Sequence, residues 1–421
     1  MRKTFLLLIM TASAGTWSMA QNEKNSFTYK TGSAEIILLS EGQQQGKTSV
    51  LIGATSEMLE KYVPDGVFPN AVNAFLVRQS GKTILVDAGF GTQLFDHLQR
   101  LGVSPEQIDA VLLTHMHGDH IGGMLREGKT AFPNAAVYIS QAEHDYWTSD
   151  KEMNRLAENR HGGFLNARKV ISAYKDRLHL FLPNEAGKEA SGLIAGISAI
   201  AAYGHTPGHT AFLVSSDGNR LLIWGDLTHA MAVQMPYPNV AVTYDVNPEQ
   251  AVITRQRLLE YITQEAIPVA GMHIAYPATG KIWKSGEGYF FEPCIDKEAV
   301  EQAIRRQLTK YPEARLQDIY KNCFQDYFGP EHLLKDTVAA DRYLQQELAL
   351  CSPCTGNWIE PAGWEGNFCR VDLCILKENK IAYQDFLNAF IASANQTTPP
   401  PLSAWKDTWQ EILSIIDDMH L

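Results

Sequence analysis

Cysteine is absent from the first 293 of the 421 residues. That stretch therefore offers no thiol nucleophile and no thiolate for a metal. No G-x-S-x-G element occurs either, so the strand–turn–helix serine of that hydrolase class has no candidate. Positive charge is in short supply: 36 lysines and arginines face 47 aspartates and glutamates, a formal charge of −11. Nucleic acids and anionic membrane surfaces call for a basic face, and this balance argues against both. There is no internal repeat and no low-complexity run longer than Thr397–Pro401. The main apolar run, Phe5 to Met10, is too short for a permanent membrane-spanning helix.

What is present is a globular composition, 45% hydrophobic and 20% charged, on a chain long enough for two domains. Residues 1–20 read as a signal peptide: Arg2 and Lys3, then the apolar run, then Ser18-Met19-Ala20 as small residues for cleavage after Ala20. The expectation is a periplasmic or secreted protein without stable membrane insertion. No cysteine follows the cleavage position to carry a lipid. Losing the segment moves the formal charge from −11 to −13.

Residues 26–292 show an α/β pattern. Short apolar runs such as Ala34–Leu39, Ala74–Val77, Thr83–Val86, Ala110–Leu113 and Leu221–Trp224 are bounded mostly by turn-forming residues, as buried strands are. Gly91–Leu101, Gln141–Ser149 and Pro248–Thr263 read as helices. Near Pro293 the character changes. Residues 293–421 read as a second, mainly helical domain, with helices at Ala299–Thr309, Leu316–Phe324, Ala339–Leu350, Tyr383–Ala394 and Ala404–Met419 and one strand-like run, Glu365–Leu376. All six cysteines fall there: Cys294, Cys323, Cys351, Cys354, Cys369 and Cys374. Export favours disulfides, whose pairing the sequence does not choose, and a four-thiolate zinc site is the minority reading. Glu331-His332 after Gly329-Pro330 reads as a helix start rather than a site.

The strongest signal is Thr114-His115-Met116-His117-Gly118-Asp119-His120, directly after the strand Ala110–Leu113. A lone histidine is usually a packed or surface residue. Three histidines and an aspartate within six residues are metal-ligand density instead. His115 and His117 alternate with Met116, so both project to one side of the strand end. Asp119 and His120 follow from the first turn of a helix. Imidazole and carboxylate suit zinc, and also manganese or iron.

This segment resembles the H-x-H-x-D-H signature of the metallo-β-lactamase superfamily. Four further elements match in order: Val86-Asp87-Ala88-Gly89, Gly204-His205-Thr206-Pro207-Gly208-His209-Thr210, Trp224-Gly225-Asp226 and Gly271-Met272-His273. The resemblance implies an αββα sandwich over residues 26–292 and a centre of two divalent ions, zinc by preference, with Mn2+ or Fe2+ as options. It implies His115, His117 and His205 on one ion, Asp119, His120 and His273 on the second, and Asp226 across both. Asp119 and Asp226 are the implied catalytic carboxylates. Asp87 would fix a ligand histidine from behind. His209 reads as structural, and His229, three residues after Asp226, stays outside the catalytic set as a residue that orients substrate or simply packs.

The stretches Gly225–Gln234, His273-Ile274-Ala275-Tyr276-Pro277, Gly286–Phe291, Phe132–Ala135 and Glu143–Trp147 resemble the methyl parathion hydrolase-like branch, itself similar to acyl-homoserine lactonases. That implies a dinuclear hydrolase in which a metal-bridging hydroxide attacks a lactone, carboxylic ester or phosphotriester of a small molecule. Trp147, Phe164 and Phe90 stand near expected pocket walls, with ordinary core packing as an equal reading. A homodimer is an expectation by analogy. The alternatives are a β-lactamase or thioesterase of the same fold, and a non-enzymatic binding protein acting through residues 293–421. Asp226 at a position where common zinc β-lactamases have cysteine weighs against the first of these.

Overall fold

The computed structural model describes residues 26–188 and 192–294. The expected signal peptide, the helices and strand expected beyond residue 295, Glu331-His332 and Cys323, Cys351, Cys354, Cys369 and Cys374 lie outside the described residues. Among the described residues no helix is long and apolar enough to cross a membrane. The described residues divide into two units, one of 26–54, Gly66–Gln234 and Pro238–Gly280, the other of Thr55–Asp65, Met235–Tyr237 and 281–294.

The first unit is built on two sheets. The first sheet runs in chain order: β1 (Thr28–Thr31), β2 (Ala34–Lys47), β3 (Val67–Gln79), β4 (Lys82–Val86), β5 (Ala110–Leu112), β6 (Ala136–Ser140) and β7 (Leu178–Phe181). Pairing is antiparallel through β4 and parallel from β4 to β7. Within this unit the second sheet is also sequential: β8 (Ile197–Ala201), β9 (Thr210–Ser216), β10 (Asn219–Ile223), β11 (Val269–Ala270) and the first two residues of β12 (Thr279–Ser285); the rest of β12 and β13 (Gly288–Pro293) belong to the second unit.

Strands of the first sheet are buried on both faces, which is why they read as continuous apolar runs rather than alternations. One face carries Ile37, Leu76, Leu85, Val111 and Val137. It packs under helices α1 (Leu94–Arg100), α2 (Gly118–Ile121), α3 (Gln141–Thr148) and α4 (Gly162–Ala173), whose Leu94, Leu98, Ile121, Trp147, Phe164 and Val170 join the same core. The alternate residues Ile36, Leu38, Phe75, Val77, Ile84 and Leu112 are equally buried and face the other way. On the second sheet, α5 (Pro248–Gln264) is tied to β8 by Arg257, whose guanidinium donates to the Ala201 carbonyl at 2.8 Å. Helix, sheet, sheet and helix give the layer order expected from the sequence.

β2 outruns its apolar pattern. Beyond Ser40 it continues as Glu41-Gly42-Gln43-Gln44-Gln45-Gly46-Lys47, with a register shift between Ser40 and Gly42. Pairing with β3 keeps this polar half in the sheet, where no periodicity announces it. The bulge turns Glu41 toward the start of α1, where its carboxylate accepts from the N–H groups of Gly91, Thr92, Gln93 and Leu94.

Candidate metal centre

The chemistry-bearing residues sit where strands end. β4 runs into Asp87, β5 into Thr114–His120, β10 into Trp224-Gly225-Asp226 and β11 into Gly271-Met272-His273. The loop after β8 carries His205. Carboxyl ends of neighbouring strands diverge from the sheet and leave loops free to converge on a ligand.

The converging atoms form three overlapping sets, one of them Asp226, His229 and His273; the other two are those expected from the sequence. His115, His117, His205 and Asp226 present one atom each within 4.8 Å of one another, as do Asp119, His120 and His273. His117 Nδ1 lies 3.0 Å from His115 Nε2 and 2.9 Å from His205 Nε2. Asp226 joins the sets: Oδ2 is 3.1 Å from His205 Nε2 and 3.0 Å from His273 Nε2, and Oδ1 is 3.2 Å from His120 Nε2. Asp119 Oδ2 is 3.5 Å from His273 Nε2, and its side chain keeps 24% of its exposure. All seven sequence-derived ligand candidates therefore meet in one place.

The outer nitrogens of these rings settle which way the inner ones point. His205 Nδ1 donates to Asp245 at 2.8 Å, His273 Nδ1 to the Ala71 carbonyl at 2.8 Å, and His120 Nδ1 faces Asp87 at 2.7 Å. Thr114 gives its hydroxyl hydrogen to Asp87 at 2.6 Å and so receives His115 Nδ1–H at 3.1 Å. Each outer nitrogen keeps its proton, so once the inner proton leaves, as metal binding requires, the Nε2 of each of these four rings offers a lone pair. Donor atoms crowded on one another, with buried His120 Nε2 and Asp226 Oδ1 3.2 Å apart but not aligned for a hydrogen bond, are what a divalent cation satisfies. The donor set fits the metal: imidazole nitrogen and carboxylate oxygen, with no thiolate.

Electrostatics point the same way. Burial opposes the charge on Asp226, but His120, His273, His115 and His205 around it hold its carboxyl well below the usual range. Burial also disfavours charge on His205, yet Asp226 and Asp245 lift it to about 9. His117, buried and beside His205, falls to about 3. The metal-free cluster thus keeps protons on some rings and excludes them from others, in the space where an ion would neutralise both carboxylates.

Supporting residues behave less uniformly. Asp87 adopts φ 58°, a left-handed conformation that aspartate tolerates, and this turns its carboxylate under both Thr114 and His120. His209 spends both nitrogens on the frame: Nδ1 donates to the Ala202 carbonyl and Nε2 accepts from Asp226 N–H. Gly225 (φ 63°) permits that contact, since a β-carbon there would collide with the His209 ring. His229 stands inside the cluster: its Nε2 is 3.1 Å from Asp226 Oδ2, its ring stacks on His273 at 4.6 Å, and its buried Nδ1 has no partner among the described residues. Trp147 and Phe164 belong to the helical core, with the Trp147 and His117 rings nearly perpendicular and 5.7 Å apart between centres, while Phe90 is 52% exposed.

Sequence reasoning missed Asp245, Asn70, Asn73 and Arg255. Asn73 holds the His273 loop through the Gly271 and Ile274 carbonyls, and Asn70 holds the His229 carbonyl. Buried Arg255 donates to the carbonyls of Leu227, Pro238 and Val240, bracing the stretch after Asp226. Only two asparagines inside the apolar run of β3 hinted at this. Asp245→Asn is expected to weaken retention of one ion by about 10–100-fold, because the His205 proton loses its anionic acceptor. Chelator competition measures it, and unchanged retention would remove Asp245 from the centre.

A family model described as metallo-beta-lactamase superfamily matches residues 67–271. Over 205 residues the chain is 29% identical to the uncharacterized protein YobT of Bacillus subtilis (strain 168), covering 46% of this chain and 79% of that one. A solved structure described as hydrolase AbOPH in the beta-lactamase superfamily is 28% identical, with a TM-score of 0.58, covering 65% of this chain and 98% of that one. AidC, a dizinc quorum-quenching lactonase in complex with a product, is 26% identical, with a TM-score of 0.59 and the same coverage, 65% and 98%.

Proposed function

From a chain that belongs to the metallo-beta-lactamase superfamily and is a metal-dependent hydrolase of that fold, we propose a dinuclear zinc enzyme. It cleaves a lactone, carboxylic ester or phosphotriester of a small molecule, outside the cytoplasm. The observation that carries this is the sharing of Asp226 between two sets of inward-facing donors. The dizinc lactonase and the hydrolase among the similar structures support the substrate range. Residues 115, 117 and 205 would hold one ion, residues 119, 120 and 273 the other, and Asp226 both.

When bound, the two ions supply an activated water and polarise the substrate oxygen. The chain supplies the rest. Asp245, Asp87 and the Ala71 carbonyl lock three rings in the tautomer that faces inward. Asp119, partly open to solvent, is placed to accept a proton from water. His229 Nε2, 3.1 Å from Asp226 Oδ2, steadies that carboxylate. A core of Trp147 and Phe164 behind His117 keeps that side dry, which strengthens each polar contact.

The test is a panel of lactones, esters, thioesters and phosphotriesters offered to the zinc-loaded mature chain. Turnover of a lactone, ester or phosphotriester, lost to chelator and restored by zinc, is expected. A folded, metal-loaded chain inert to all of them would overturn the proposal, and preference for thioesters would move it to the thioesterase alternative.

A further inference from the structure

Glu143 lies in the first turn of α3 with no exposed surface. Its two oxygens receive four hydrogen bonds. Oε1 accepts from Met116 N–H at 2.9 Å and from the Trp147 indole at 2.5 Å. Oε2 accepts from the Thr206 hydroxyl at 2.6 Å and from Gly208 N–H at 3.0 Å. Met116 N–H, the Trp147 indole and Gly208 N–H can only donate, and the Thr206 hydroxyl is free to donate as well, so the ionised carboxylate satisfies all four. Burying a carboxylate without a cation costs several kcal/mol on the order of an isolated ion, and four convergent donors are what offset it.

The positions of those donors matter more than their number. Met116 is the residue between His115 and His117. Thr206 and Gly208 flank the turn that begins at His205. Ser140, the cap of α3, donates to the Gly208 carbonyl at 2.7 Å, so the helix start grips that peptide from both sides. Glycine is required at 208, because a β-carbon would collide with Glu143 N and Ser140 Oγ. Trp147 leans its edge on the His117 ring. The other donor set has supports that do not involve Glu143: Asp87, which holds His120 and also Thr114 behind His115, and the Ala71 carbonyl and Asn73 for the His273 loop.

We propose that Glu143 is a positioning residue that fixes the spacing of His115, His117 and His205, and so sets the affinity of that one ion site independently of the Asp119–His120–His273 site. This rests on the proposed reading of the two donor sets as two ion sites. Removing a carboxylate kept only for stability would leave buried donors unpaired and destabilise the metal-free chain without distinguishing the two sites. Removing a clamp across two loops, 27 and 65 residues away along the chain, loosens the site that those loops carry.

Glu143→Gln separates the two. The amide is isosteric but has a single acceptor oxygen, so one pair of donors must face its NH2 group. The less costly flip turns NH2 toward Thr206, whose hydroxyl rotates to accept, and leaves Gly208 N–H without a partner. The His205 turn is then released while Met116 stays held. Thr206→Val is a milder companion that removes one bond and keeps the carboxylate.

The experiment titrates zinc-loaded wild type, Glu143→Gln and Thr206→Val with a graded chelator, counts ions retained per chain, and records the cobalt(II)-substituted absorption spectra and the metal-free melting temperatures. Wild type is expected to hold two ions. Glu143→Gln is expected to keep one at wild-type affinity and to hold the other about 10–100-fold more weakly, with part of the cobalt spectrum altered. Thr206→Val is expected to weaken the same ion by a smaller factor, and it decides the matter if Glu143→Gln does not fold. Equal weakening of both ions, or a lowered metal-free melting temperature with both ions held normally, would overturn the inference. A wild-type chain that binds no ion would overturn the proposed centre itself, which is a different failure.

Discussion

Asp226→Asn should lower kcat/KM by at least about 10³-fold, about 4 kcal/mol of transition-state stabilisation, while the chain stays folded. The carboxylate touches both donor sets, at 3.0–3.2 Å from His205, His273 and His120. An amide removes a charge that two dications need and turns N–H groups toward nitrogens that carry lone pairs. The fold has little stake in the carboxyl group: the Asp226 backbone N–H keeps its bond to His209, and the surrounding core is built from Trp224, Leu227 and the strands. Metal analysis, kinetics and circular dichroism together test it. A variant that keeps two ions and wild-type rates would show that Asp226 does not join them.

Stripping the metal is the second large effect. A ligand that binds only the folded chain contributes about 4 kcal/mol at a thousandfold excess over its Kd, and about 2–4 °C of melting temperature accompanies each kcal/mol in a unit of this size. A fall of roughly 8–16 °C on chelation is expected from those two relations. The metal-free chain should also acquire a pH optimum. His205, raised to about 9 by Asp226 and Asp245 against the cost of burial, contributes stability that is complete below about 6.5 and lost as pH rises through 9. His117 and His209, both held down to about 3 by burial and by His205, act oppositely: the unfolded chain takes up their protons first, so stability falls as pH drops below about 6.5. Melting curves from pH 4 to 10 should therefore peak near about 6.5, the ordinary histidine value, without metal and flatten with it. A metal-free profile as flat as the loaded one would mean that these rings are not coupled as the geometry requires.

The ligand residues were legible because metal chemistry compresses into types and spacings. His115, His117, Asp119 and His120 announce themselves, and His205, Asp226 and His273 follow at strand ends already marked by apolar runs. Strands buried on both faces were equally visible. Strands without such a pattern were not: the polar half of β2, the exposed edge strand β7, and β12 and β13. The supports were hidden for a different reason. Asp245 and Glu143 are single carboxylates whose importance comes from partners 40 and 65 residues away. Arg255 looked like one more charge on a helix, yet it is 1% exposed and serves three carbonyls. His229 shares its position with a packing reading in the sequence, and only the fold brings its ring against Asp226 and His273.

Four of the seven donors lie within six consecutive residues, and the other three enter from a loop after β8 and from two strand ends of the second sheet. This division separates the order of folding from the order of metal capture. The segment from His115 to His120 can hold an ion in a chain that has not yet folded, loosely and with few ligands. His205, Asp226 and His273 reach it only after the two sheets dock. Metal that binds the unfolded chain narrows the gap between unfolded and folded affinities, so loading early yields less net stabilisation than the finished site suggests. Refolding with zinc present from the start should thus populate mis-seated single-ion species, whereas zinc added after the sheets have closed meets a site with all seven donors in place.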